Sequence, residues 1–311
     1  MSTSSEALTS FANLIVTSPT TNITQDSSGE NAYRLINGTW QQTGGNLQVG
    51  DILAGVAAYN GMNGTPIGGA STYTGLTAVF ATQIASITNT SSVPLLGQLA
   101  NFSFTSAATS AWDAIFGLTA NQIGGETLID GTMIAYLQDT NNSFGTPFNN
   151  VANTFADAIA PSQTMWAQAG FSTTGLDHFW SATNAPVNIS NIANVPVTTK
   201  VGDYTFGLDV LQNLTGLDFV PVNIGFDYML YNGAGQIYRP GVGNAFGVED
   251  DIKTTFLVNN VPEPNSIGLM LMGGLILFFL HSVAARASSI TNAIRRFLLQ
   301  ALLSLKGELA L

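Results

Sequence analysis

Three consecutive carboxylates, Glu249, Asp250 and Asp251 in "VEDDIK", form the tightest cluster of reactive side chains in the sequence. Hard oxygen donors of this kind suit calcium, which takes roughly six to eight oxygen ligands. The EF-hand spacing is absent, so the cluster reads either as part of a calcium site or as a solvated turn ahead of the last strand. Of the two histidines, His178 in "GLDHFW" stands beside Asp177 and near Trp180, and His281 lies in an apolar run. Neighbours in sequence are not thereby in hydrogen-bonding geometry, and no G-x-S-x-G, H-E-x-x-H or phosphate-loop pattern occurs. His178 is therefore expected to fill an aromatic cluster. A carboxylate pair for glycoside hydrolysis is set by the fold rather than by spacing, and nothing marks one out. Trp40, Trp112, Trp166 and Trp180, with 18 Phe and 8 Tyr, offer either core packing or a platform for stacking sugars. The expectation is a protein without catalytic residues and without a cofactor other than calcium.

Composition narrows the partners. Charged residues are 9% of the 311, against roughly 25% in ordinary globular domains. Before Val261 there are 17 Asp or Glu and 4 Lys or Arg, a net of −13; from Val261 onward the count is 2 acidic and 4 basic, a net of +2. An acidic body of this kind repels nucleic acid and anionic head groups, because both are bound through Lys and Arg at phosphates. There is no cysteine, which excludes disulfides, thiolate metal sites and a cysteine nucleophile.

The elements that would position these residues are mainly strands. Residues 1–30 are rich in Ser, Thr and Asn without periodicity and read as a loose arm. From there to residue 258, β-prone runs alternate with Gly and Asn: "GLTAVFATQIASI" at 75–87, "TMIAYLQD" at 132–139, "YTFGLDVLQN" at 204–213, "FDYMLYN" at 226–232 and "IKTTFLVN" at 252–259. Such spacing predicts a β-sandwich or jelly-roll-like body. Thr146 as cap, Pro147 at the first helical position and apolar residues at three- and four-residue steps up to Pro161 predict one short helix. A second is expected around 106–116.

The chain then changes character. Residues 259–266 form an extended linker held by Pro262 and Pro264. Residues 267–285 carry no formal charge, and as a helix they span about 28 Å, close to the hydrocarbon thickness of a bilayer. Arg286, Arg295 and Arg296 follow, so the positive-inside bias keeps this end cytoplasmic and places the body outside. Residues 286–311 carry an apolar stripe with basic residues mostly opposite, as in a helix lying in the cytoplasmic leaflet or packed in an oligomer contact.

"VPEPNSIGLMLMGGLILFFLHSVAAR" resembles the PEP-CTERM sorting signal of Gram-negative bacteria: the motif Val261, Pro262, Glu263, Pro264, then a glycine-containing transmembrane helix, then a basic cluster. The runs "GDILAGVAAYN", "GTMIAYLQD" and "DYTFGLDVLQNLTG" are similar, less specifically, to the β-rich exported domain found upstream of such tails. The resemblance implies an exosortase as partner, an inner-membrane intermediate, and a final place at the cell surface or in an exopolysaccharide matrix. It also implies a secretory leader, whose basic and apolar regions the first twenty residues do not show. A non-catalytic envelope or biofilm-matrix protein is thus expected, with a carbohydrate- or calcium-binding adhesin as the alternative and a secreted hydrolase behind it.

Overall fold

A computed structural model describes residues 14, 20–43, 47–68, 71–93, 97–139, 155–156, 158–160, 163–175, 177–184, 200–238 and 246–259. The sorting motif at 261–264, the apolar run at 267–285 and the arginines at 286, 295 and 296 lie outside these residues. Among the described residues no helix is long and apolar enough to cross a membrane.

The chain is mainly β and almost wholly antiparallel. β1 (Thr20–Ile36) turns back into β2 (Thr39–Thr43) through Asn37 and Gly38, with φ of 51° and 79°. Both values are left-handed, as an Asn-Gly hairpin turn of type I′ requires. β3 (Ile52–Met62) turns in the same way through Asn63 and Gly64 into β4 (Thr65–Pro66). β5 (Gly75–Val93) and β6 (Gly97–Ser106) form a long hairpin. Then come α1 (Thr109–Phe116), the small ribbon of β7 (Gln122–Ile123) and β8 (Glu126–Thr127), and β9 (Thr132–Asp139). β10 (Gln163–Gly170), β11 (Phe179–Asn184), β12 (Lys200–Asn213), β13 (Phe219–Val220), β14 (Leu230–Tyr238) and β15 (Phe246–Val258) complete the order.

Their pairings close on themselves. β1 lies between β15 and β3, β3 pairs β5, and β12 pairs β14, which pairs β15. Between β5 and β12 stand two staves, each made of two strands end to end. β5 carries β9 along residues 75–80 and β6 along 82–93. β12 carries β11 along 202–207 and β10 along 209–213. β6 pairs β11, and β9 pairs β10, so the ring is complete. The result is a barrel of eight staves, not the two facing sheets of a sandwich or jelly roll. An even number of staves lets every neighbour in a closed ring run antiparallel.

Two layers of apolar packing follow from the alternation of side chains along strands. Inward-facing Tyr59, Phe80, Phe104, Tyr136, Trp180, Phe206 and their neighbours fill the barrel. Outward-facing Ile52, Ala54, Val56, Val79, Ala81, Ala135 and Leu137 are buried too, because residues 107–131 leave the β6/β9 stave and fold over them. α1 lays Trp112 and Phe116 on this outer face, and Gly117 at φ 70° ends the helix. One turn of the helix expected over 146–161 is described: the Ile159 amide donates to the Phe155 carbonyl at 3.0 Å, with Phe155 and Ala158 buried.

Two expectations are corrected here. Residues 20–30 of the expected loose arm belong to β1, which is paired on both edges, and residues 1–13 and 15–19 lie outside the described residues. Its Ser, Thr and Asn residues form a strand because backbone hydrogen bonds on two sides stabilise it whatever the side chains contribute. The run at 226–232 enters β14 only at Leu230.

Candidate functional site: the barrel lumen

Eight-stranded barrels are just wide enough for side chains to fill or for one small ligand to occupy. Here side chains fill most of its length. At the β9/β10 end the lumen is stoppered by Trp166, Phe219 and Phe256, with Trp166 6.2 Å from Phe219 and Phe219 5.1 Å from Phe256 between ring centroids. Toward the β6/β11 end it leaves a small cavity and, beside it, a more open one, whose linings share Glu30, Leu53, Phe104, Ala182 and Ile237.

Glycine makes part of this room. Gly55 stands in register with Glu30 on one side and Phe80 on the other. A Cβ at Gly55 would meet the Phe80 ring at 2.6 Å and Glu30 Cγ at 3.0 Å. Both side chains therefore lean across a position that must stay empty. Gly235 does the same for the ring of Tyr204, its partner across β12 and β14.

The cavity walls are aromatic: Trp180 lies 5.0 Å from Phe206, 6.2 Å from Phe80 and 6.3 Å from both Phe104 and Tyr204. One carboxylate faces into them. Glu30 is 7% exposed and lines both cavities. Deeper, Tyr59 and Tyr136 pack 6.0 Å apart. Burial pushes the phenols of Tyr59 and Tyr136 well up from their ordinary value, and that of Tyr204 likewise, with the negative charge of Glu30 adding to it. Asn232, fully buried beside Phe206 and opposite Thr254, and the Tyr136 hydroxyl make no well-formed hydrogen bond, although Tyr204 faces Asn232, and Tyr59 and Thr254 face Tyr136, closely enough to work against the rise that burial causes in the phenols. Buried polar atoms left in this state mark places where water or a ligand belongs.

Elsewhere the polar side chains have structural work. His178 and Asp177 part company: His178 Nδ1 lies 3.3 Å from Asp209 Oδ2, whereas Asp177 accepts from the Asp227 amide at 2.9 Å. Asp209 also accepts from the Ser172 amide, and the Phe171 ring stacks on His178 at 4.2 Å. The imidazole thus ties down residues 171–178, which bridge β10 and β11, in the aromatic setting expected of it. Ser172 Oγ accepts from the Gly175 amide at 2.7 Å. Gln168, fully buried, makes four bonds: it accepts from the Ile129 amide and the Thr132 hydroxyl, and donates to the Thr127 carbonyl and Gln212 Oε1. That network fastens the outer layer to the barrel wall.

Glu249, Asp250 and Asp251 fall within β15, where the register with β1 shifts between Gln25 and Ser27. They occupy a strand rather than a turn, and their side chains lie outside the described residues. Among the described residues no three His, Asp or Glu side chains come together as metal ligands do. Trp112, Trp166 and Trp180 are buried and give no outward platform for sugars. The sequence reading missed one exposed ring, Phe226, which caps an otherwise buried or half-buried aromatic cluster. Phe226, 47% exposed, packs 5.2 Å from Tyr228, which lies 5.9 Å from both Tyr231 and Phe179. Gly207 leaves the space beneath Tyr228 and Phe179.

Comparison with family models, with curated proteins and with solved structures finds no match to this chain.

Proposed function

We propose that this chain is an exported, non-catalytic protein of the cell surface or extracellular matrix, delivered by its C-terminal tail to an exosortase. The observation that carries the proposal is the order of the tail. Val261, Pro262, Glu263 and Pro264 precede an uncharged run of bilayer length, and Arg286 closes it. The body is consistent with export without chemistry: it is an acidic barrel in which half-buried His178 and buried Asp209 and Gln168 hold loops in place. In this reading Pro262, Glu263 and Pro264 are substrate residues for another protein. Glu263→Ala leaves the barrel folded and blocks removal of the tail in the producing cell, seen as a larger, membrane-retained species. Normal maturation of that variant ends the sorting claim.

The exposed Phe226 ring favours the carbohydrate-binding version of this reading. Sugar rings stack on exposed aromatic faces, and Phe226 presents one beside Tyr228. Retention of the protein on the producer's exopolysaccharide, lost in Phe226→Ala, supports it; equal retention of both proteins removes it. Calcium at Glu249, Asp250 and Asp251 is an accessory proposal, dismissed by equal unfolding midpoints in calcium and in chelator.

A further inference from the structure

The structure assigns a modification site to one of two matching turns: Asn37, and not Asn63, loses its carboxamide nitrogen to attack by the glycine amide that follows it. The product is an aspartyl or isoaspartyl residue at the tip of the β1–β2 hairpin. This proposal stands whether or not the tail is processed.

Asn-Gly occurs four times, at Asn37-Gly38, Asn60-Gly61, Asn63-Gly64 and Asn232-Gly233. A glycine nitrogen reaches the preceding asparagine Cγ more easily than any other, because no side chain obstructs the approach and the backbone turns freely. The N–Cγ bond forms, the Cγ–Nδ2 bond breaks, and the glycine amide proton leaves with that nitrogen as ammonia. Water then opens the five-membered succinimide at one of its two carbonyls. One opening gives aspartate, and the other gives isoaspartate, with an extra carbon in the backbone.

Geometry separates four sites that the dipeptide makes alike. Gly61 lies inside β3, in register with Thr24 on one side and Pro66 on the other, and Asn232 is fully buried in β14. The two turns are closer rivals: each has φ of 51° and 79°, and each runs from an apolar residue through Asn-Gly to threonine. Asn63, however, is held three times. Its Oδ1 accepts from the Asn22 amide at 2.9 Å, its Nδ2 donates to the Leu14 carbonyl at 3.1 Å, and its own amide donates to the Asn22 carbonyl at 2.9 Å. Two of these bonds must break before Cγ can swing to Gly64. Among the described residues nothing bonds the Asn37 carboxamide, and Leu35, Ile36, Asn37, Gly38 and Thr39 are all exposed. The ladder of β1 with β3 ends where Tyr33 pairs Ile52, so the tip beyond it is two-stranded. Such a tip opens locally far more often than a closed sheet, and each opening frees Asn37 to react.

The modification has a structural consequence, because turn type and loop length fix the register of a hairpin. Isoaspartate lengthens the two-residue loop, so the pairing of Ile36 with Thr39 is lost and β2 loosens. The barrel stays closed, since β2 pairs only β1 and is no part of the ring.

The test ages the full 311-residue chain in mildly alkaline buffer, below the range where its tyrosines ionise. Digested peptides are followed by mass spectrometry for conversion of amide to acid, with the aspartate and isoaspartate forms separated by chromatography. In the folded chain Asn37 should convert at least tenfold faster than Asn63, and faster than Asn60 and Asn232. In denaturant the two turn sites should convert at similar rates, which assigns the difference to the fold. Hydrogen exchange of the aged protein should show protection lost in residues 34–43 and kept in β3 and β5. No conversion at Asn37, a folded-state ratio below tenfold, faster conversion at Asn60 or Asn232, the same preference in denaturant, or isoaspartate at position 37 with β2 still protected overturns the proposal.

Discussion

Raising the pH should unfold this barrel from within. Tyr59, Tyr136 and Tyr204 sit inside it with their phenols held protonated by burial, above the ordinary value of 10.0. In the unfolded chain the same phenols ionise near pH 10. A group whose folded value is raised contributes stability that is complete below its unfolded value and is lost as pH climbs toward the folded one. Each tyrosine therefore removes about 1.4 kcal/mol per pH unit above pH 10, and three acting together about 4 kcal/mol per unit. Against the 5–15 kcal/mol typical of a folded domain, roughly one to four units suffice, so a barrel of ordinary stability collapses between about pH 11 and 14.

The assay is a pH titration followed by tyrosinate absorbance and by near-ultraviolet circular dichroism. Of the 8 tyrosines, at least these three should ionise only in the step that abolishes the dichroism. Tyr136→Phe supplies the internal control. Its hydroxyl makes no well-formed hydrogen bond, with Tyr59 and Thr254 as the nearest hydroxyls, so removing it should change stability at neutral pH by no more than about 1.5 kcal/mol. It should also flatten the alkaline slope by about 1.4 kcal/mol per unit. Ionisation of all eight phenols near pH 10 with the fold intact would refute the reasoning, since it would mean that the lumen is wet and Tyr59, Tyr136 and Tyr204 are not shielded.

Other substitutions test the joints of the structure. Gln168→Leu leaves Thr132 and the Ile129 amide without their acceptor and should cost about 2–4 kcal/mol by chemical denaturation, since orphaned buried groups cost about 1–3 kcal/mol each. Asp51→Ala removes a two-pronged contact with Arg34, 2.7 Å on each side, and the acceptor of the Gln48 amide. With Arg34 partly exposed, a loss of about 2–3 kcal/mol is expected, less than for a fully buried pair. Gly170→Ala drives a methyl group into the Gly131 carbonyl at the junction of β10 with residues 171–178, so a loss of at least about 2 kcal/mol should appear as a lower unfolding midpoint.

What could be read from the residue order was local. "TMIAYLQD" is β9 to the residue, and the short helix around 106–116 is α1, because alternation and helical spacing are properties of a few neighbours. The hairpins at Asn37-Gly38 and Asn63-Gly64 carried a legible turn signal that went unused. β1 was hidden by its polar composition, and only its partners reveal it: Thr20 pairs Leu257, at the other end of the body. The same distance hid the closure. Whether β3 and β5 close a ring or face another sheet depends on residues far along the chain, and alternating burial looks alike in a sandwich and in a barrel.

The lumen was concealed for a different reason. Glu30, Gly55 and Phe80 are unremarkable in sequence, and each has an ordinary local explanation. Only register sets them side by side across three strands, where the missing side chain of one makes room for the other two. The same argument separates the proposed tail signal from the lumen. A tail that another enzyme must read has to be written in consecutive residues, since it is recognised as an extended peptide. A cavity formed by a closed sheet takes its residues from nearly every strand, and its chemistry is set by pairing rather than by order. Gly55→Val decides whether that pairing is the cause: the added methyl groups would press on Phe80 and Glu30, and the barrel should lose about 2 kcal/mol or more as one of them is displaced. Full stability in that variant, with the cavity unchanged, would show that the register through Glu30, Gly55 and Phe80 does not make the lumen.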